Sequence, residues 1–85
     1  MAWPLYVTAA ARADLVSLHA RDHERFVLVV AFLRALADNP RPAGATDVRE
    51  GLLRAEGIGG CTIYWEDLAI RGRLTVARIV THDPR

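Results

Sequence analysis

The chemistry open to this chain of 85 residues rests on histidine and arginine. Histidine exchanges a proton near neutral pH, and arginine grips a phosphate through a planar fork of N–H donors. All eleven basic residues are arginine, and there are three histidines. Both types suit proton transfer and contact with a phosphate. Plainer readings stand beside these. A histidine at a strand end is a surface residue, and a terminal arginine is a solvated one. Arg54 and Arg78 are then sheet-face charges, paired with Glu56 or Glu66. The all-arginine composition also follows from a GC-rich genome.

Other chemistries find less support. Cys61 stands alone, so no disulfide framework or CxxC metal pair can form within one chain. Flanked by Gly60 and Thr62 in a strand-like run, it reads as a small buried hydrophobe and suits a reducing cytoplasm. No cofactor is expected. The run from Gly57 to Gly60 lacks the Lys-Ser/Thr of a phosphate-binding loop and opens no helix, so it reads as a hairpin turn. The formal net charge of +1 gives no overall field to attract nucleic acid. No run is long enough to span a membrane, and no signal peptide is expected from the Trp3-Pro4 start.

The elements that must position these residues follow from spacing. Leu5, Tyr6 and Val7 favour a strand. Thr8 is placed to cap a helix carrying Ala11, Leu15 and Leu18 on one face, with Arg12, Asp14 and His19 left wet. Asp22 can cap a second helix, where Phe26, Val29, Leu33 and Leu36 recur at helical spacing. Val27, Val30 and Ala31 widen its apolar surface, so it is either well buried or offered to a partner. Asn39 and Pro40 end it. Strands are expected at Val48–Ala55, Cys61–Glu66 and Leu74–Thr81, paired antiparallel, with the first strand joining their sheet. The expected class is α+β, one domain over residues 1–85. An N-terminal strand and a two-helix hairpin precede a three-strand antiparallel meander, forming one small sheet packed on the helices. A core this thin makes partner binding a natural supplement to stability.

The stretch from Leu33 to Asp67 resembles the RelE/ParE superfamily of type II toxin–antitoxin toxins. Asn39-Pro40-Arg41-Pro42 with Gly44 matches the breaker after the family's second helix. Arg54 matches its strand arginine, Gly59 to Glu66 its central strand, and Val80 to His82 the end of its last strand. Tyr6 to Leu15 is similar to its strand-to-helix start. The resemblance spans nearly the whole chain and implies a cytoplasmic toxin with a cognate antitoxin as partner.

In RelE-type members, a basic and aromatic set on the concave sheet face cuts mRNA on the ribosome. It positions the 2′-hydroxyl, holds the scissile phosphate and protonates the leaving oxygen. Carried onto this chain, the resemblance implies Arg54, His82 and Arg85 as catalytic residues of a ribosome-dependent mRNA endonuclease that inhibits translation, with Tyr64 as an outside candidate. The chain departs from the pattern at Thr62 and Asp83, where arginines are common, and at Glu56, where a second basic residue often lies. Two alternatives therefore remain open: a ParE-like poison of DNA gyrase, or a catalytically inactive homologue acting through protein binding.

Overall fold

The computed structural model describes residues 5–49, 51–68 and 73–82. The element order is β1 (Leu5–Val7), α1 (Ala9–Arg21), α2 (His23–Asp38), β2 (Thr46–Arg49), β3 (Leu52–Ile58), β4 (Cys61–Leu68) and β5 (Arg73–Thr81). Strand order in the sheet is β1-β5-β4-β3-β2. β1 runs parallel to β5, and the other neighbours are antiparallel. The expected α+β architecture is present, with one difference. The run expected as a single strand over Val48–Ala55 is two strands, β2 and β3, separated by a turn in which Gly51 has a φ of +80°. The meander therefore has four strands.

Short-range caps set the helix ends. The Thr8 hydroxyl accepts from the Ala11 N–H at 3.1 Å and donates to the Ala77 carbonyl at 2.9 Å, so one side chain starts α1 and ties it to β5. The Asp22 carboxylate accepts from the Arg25 N–H at 3.2 Å, while the Asp22 N–H closes α1 on the Leu18 carbonyl. One residue thus ends the first helix and opens the second.

Both helices pack on one face of the sheet. Ala11 and Leu18 of α1, and Val29, Leu33 and Leu36 of α2, meet Leu53, Ala55, Cys61, Ile63, Trp65, Leu74, Val76 and Ile79 in one core. Cys61 is buried there as a free thiol. Trp65 is the largest fully buried side chain. Its ring meets Phe32 edge-on, with centroids 5.7 Å apart, and its Nε1–H donates to the Pro40 carbonyl at 3.0 Å. The loop after α2 is also held from its own side. Asn39 Oδ1 accepts from the Arg41 N–H at 3.3 Å, and the Arg41 guanidinium bridges Asp67 at 3.1 Å and Asp47 at 3.4 Å.

The β3–β4 turn needs glycine twice over. Gly59 and Gly60 have φ of +59° and +73°, the pair of signs a two-residue hairpin turn demands. A Cβ on Gly59 would also stand 3.2 Å from the Arg25 carbonyl and 3.3 Å from the Leu28 Cβ, so the turn lies tight against the start of α2. Among the described residues, no helix is long and apolar enough to cross a membrane.

β1 covers β5 only from Leu74 to Val76. Beyond that, Asp14 of α1 takes over the sheet edge. Its carboxylate accepts from the Ile79 N–H at 2.9 Å and from Arg78 Nε at 2.9 Å. A helix side chain thus stands in for a missing strand neighbour.

Two stability predictions follow from this geometry. Trp65→Phe strands the Pro40 carbonyl and costs about 1–3 kcal/mol, and Trp65→Ala costs about 3–5 kcal/mol; urea unfolding monitored by circular dichroism measures both. Asp14→Ala orphans the Ile79 N–H and costs about 1–3 kcal/mol. Arg78→Ala removes only a solvent-facing ion pair and costs clearly less than Asp14→Ala. Equal losses for those two variants would refute the edge-capping role.

Candidate functional site

Pairing register decides which side chains share the face that the helices leave open. Residues directly opposite on antiparallel strands lie on the same face, and alternate residues along a strand return to it. Ile63 and Trp65 of β4 point into the core, so Thr62, Tyr64 and Glu66 point away from the helices. Arg54 of β3 is paired with Tyr64, and Thr46 of β2 with Arg54. On the other side, Arg78 is paired with Tyr64, and Val80 with Thr62. Thr46, Arg54 and Tyr64 thus form a row across three strands. Thr62 lies one step of about 7 Å along β4 from Tyr64.

Two bulges lie in the strands on either side of β4. Between Ala55 and Ile58, β3 carries one extra residue against β4, so Glu56 and Gly57 both lie opposite Thr62. Between Tyr64 and Trp65, the pairing skips Ala77 of β5. The bulges preserve core-facing Ile63, Trp65, Val76 and Ile79 on either side.

His82 follows β5 directly and is fixed at two points. Its N–H donates to the Gly60 carbonyl at 3.0 Å, and its Nε2 lies 2.7 Å from Thr62 Oγ1. Thr62 is only 3% exposed, although it belongs to the open face; His82 is exposed and seals it. His82 and Arg54 therefore stand on one face, linked through the adjacent alternate positions Thr62 and Tyr64.

The charges on this face divide into committed and available ones. Arg78 is committed: both guanidinium contacts go to Asp14, at 2.9 and 3.4 Å. That hydrogen bond, with the carboxylate's charge, raises the Arg78 pKa further above its ordinary value. The expected pairing of Arg78 with Glu56 or Glu66 is thereby corrected; Asp14, expected to be merely wet, captures it because β1 ends at Val7 and leaves the β5 edge to α1. Arg54 is half-buried and has no hydrogen bond or ion pair among the described residues. Tyr64 is likewise without one among them. Glu56 is exposed on its bulge.

Of the three residues expected to do chemistry, Arg54 and His82 thus share a face, whereas Arg85 lies outside the described residues, as does Asp83. Thr62 was legible only as a substitution for an arginine. Its contact with His82 depends on a strand register that sequence spacing does not show. Among the described residues no group of three or more His, Cys, Asp or Glu side chains could hold a metal ion.

No family model matches the chain, and no curated protein matches it. Solved structures do. The toxin–antitoxin complex RelBE2 from Mycobacterium tuberculosis contains a chain that is 19% identical, with a TM-score of 0.76 over 96% of this chain and 100% of that one. The YoeB/ParE toxin from Agrobacterium tumefaciens is 14% identical, with a TM-score of 0.78 over 94% of this chain and 99% of that one. Such low identities with near-complete coverage concern the backbone architecture. The two-helix hairpin packed on one face of a mostly antiparallel sheet, with an N-terminal strand alongside β5, is the fold this chain shares with both of them.

Proposed function

We propose that this chain is the toxin of a type II toxin–antitoxin module, a RelE-like ribosome-dependent mRNA endonuclease acting in the cytoplasm. The observation that carries the reading is the open sheet face. That face carries Arg54, a guanidinium with no partner among the described residues, and the doubly anchored imidazole of His82, with Tyr64 and Glu56.

The chemistry is a transfer within the RNA. The 2′-hydroxyl loses its proton to a base, its oxygen bonds to phosphorus, and the bond to the 5′-oxygen breaks as that oxygen gains a proton. Positioned acid–base groups accelerate such a step by about 10²–10⁴. His82 is the proton carrier on the face. Glu56 can accept a proton and Tyr64 can donate one. Arg54 supplies the charge that stabilises the pentavalent phosphate.

The partner is an antitoxin. Val16, Val27 and Leu28 lie exposed on the helices, between 50% and 65% accessible, and Leu15, Val16 and Phe26 line an apolar groove between α1 and α2. An exposed apolar patch on a small domain marks an interaction site.

Primer extension on messages carried by translating ribosomes tests the reading. The purified chain is expected to cut within the occupied frame. Arg54→Ala and His82→Ala are each expected to lower the rate by about 10²–10⁴; Arg54→Ala is expected to leave the unfolding curve close to wild type, since Arg54 lies outside the core, whereas His82→Ala also lowers stability by removing the partner of the buried Thr62 hydroxyl. Intact messages with the wild-type chain at high concentration would refute the endonuclease.

A further inference from the structure

Thr62 is the side chain on the open face whose role the proposed chemistry leaves unassigned. It is buried to 3% exposure. A buried hydroxyl without a partner is costly, and among the described residues the only partner of Thr62 Oγ1 is His82 Nε2, at 2.7 Å. That is a short contact for a nitrogen–oxygen pair. On the His82 side, the backbone N–H is bonded to the Gly60 carbonyl at 3.0 Å. The ring is thus clamped between the β3–β4 turn and the central strand. Its Nδ1 has no partner among the described residues, and the residue is exposed.

From this arrangement we infer that Thr62 is a positioning residue. It occupies Nε2, fixes the plane of the His82 ring, and leaves Nδ1 as the nitrogen that exchanges a proton with the substrate. The inference rests on the endonuclease reading for its use of that proton, but the hold on the ring is a property of the fold. A hydroxyl suits the task because its oxygen can accept. With Nδ1 gaining and losing the proton, Nε2 keeps its hydrogen in both the neutral and the charged ring, so Thr62 Oγ1 accepts from Nε2–H throughout and the contact survives both states of a proton carrier. An arginine at position 62 could only donate and could accept from Nε2–H in neither state. A methyl-bearing isostere would hold neither state.

The consequence for chemistry is geometric. With Nε2 directed inward toward β4, the outward nitrogen lies on the side of the ring nearer its own backbone. The substrate must therefore meet His82 on that side of the ring. Thr62 itself touches no reacting atom.

Alkylation with iodoacetate reads which ring nitrogen is open without any RNA. A ring nitrogen bonds to the methylene carbon as iodide leaves, and the two carboxymethyl isomers of the His82 peptide are separated after digestion. The wild-type chain and Thr62→Ser are expected to be carboxymethylated mainly at Nδ1. Thr62→Val, equal in shape, is expected to shift to mainly Nε2. In the ribosome assay, Thr62→Val is expected to lower kcat at least about tenfold with KM nearly unchanged, and Thr62→Ser to restore most of the rate. Mainly Nε2 product in the wild-type chain, or the same isomer ratio in Thr62→Val, would overturn the inference, whatever the cleavage result. The expected isomer pattern beside uncut message would support the Thr62 hold and overturn the endonuclease reading instead.

Discussion

The indole of Trp65 sits where three parts of the chain meet. Its ring fills the centre of the core from the middle strand β4, it packs edge-on against Phe32 of α2, and its N–H reaches out to the Pro40 carbonyl in the loop that leaves that helix. In so small a chain, burial of apolar area is limited, and a tryptophan gives the largest return per residue. The polar end of the ring is what makes it more than filler. It fixes where α2 stops and so where the chain turns back into β2. The meander that follows is built from that point, and Arg41 reinforces it through Asp67 and Asp47.

A two-layer fold leaves one sheet face uncovered, and the register decides what stands on it. Core demand at Leu53, Ala55, Ile63, Trp65, Val76 and Ile79 obliges the intervening residues to face outward. The bulges in β3 and β5 keep that demand satisfied along both partners of β4. The open face is therefore a consequence of packing, and its chemistry comes from which residues occupy the positions that packing does not use. Arg78 shows the competing pull: its register position is on that face, but the unpaired edge of β5 needs Asp14, and Asp14 takes the guanidinium with it.

Much of the fold was legible because its signals are local. Thr8 and Asp22 cap helices through bonds to residues three positions on, and a capping side chain can be read from three residues of sequence. The Asn39-Pro40 break and the Gly59-Gly60 turn are similarly local, since both follow from backbone conformations that few residues permit. The division of the run around Gly51 was not legible, because one glycine between Val48 and Leu53 reads equally as a flaw in a single strand. The site was legible in residue type only. Arg54 and His82 could be named, but the Thr62 contact joins residues twenty apart in sequence and the Asp14 contact joins residues more than sixty apart. Each exists only in one register, and a shift of one residue would have sent Thr62 into the core instead.

The central claim is that the open face works on translating ribosomes. Pulse-labelling of nascent protein after induced expression in a sensitive bacterium tests it most directly, with Arg54→Ala and His82→Ala alongside. The account predicts a prompt collapse of labelling with the wild-type chain and continued labelling with either variant. Undiminished labelling with the wild-type chain, or an equal collapse with all three, would contradict it.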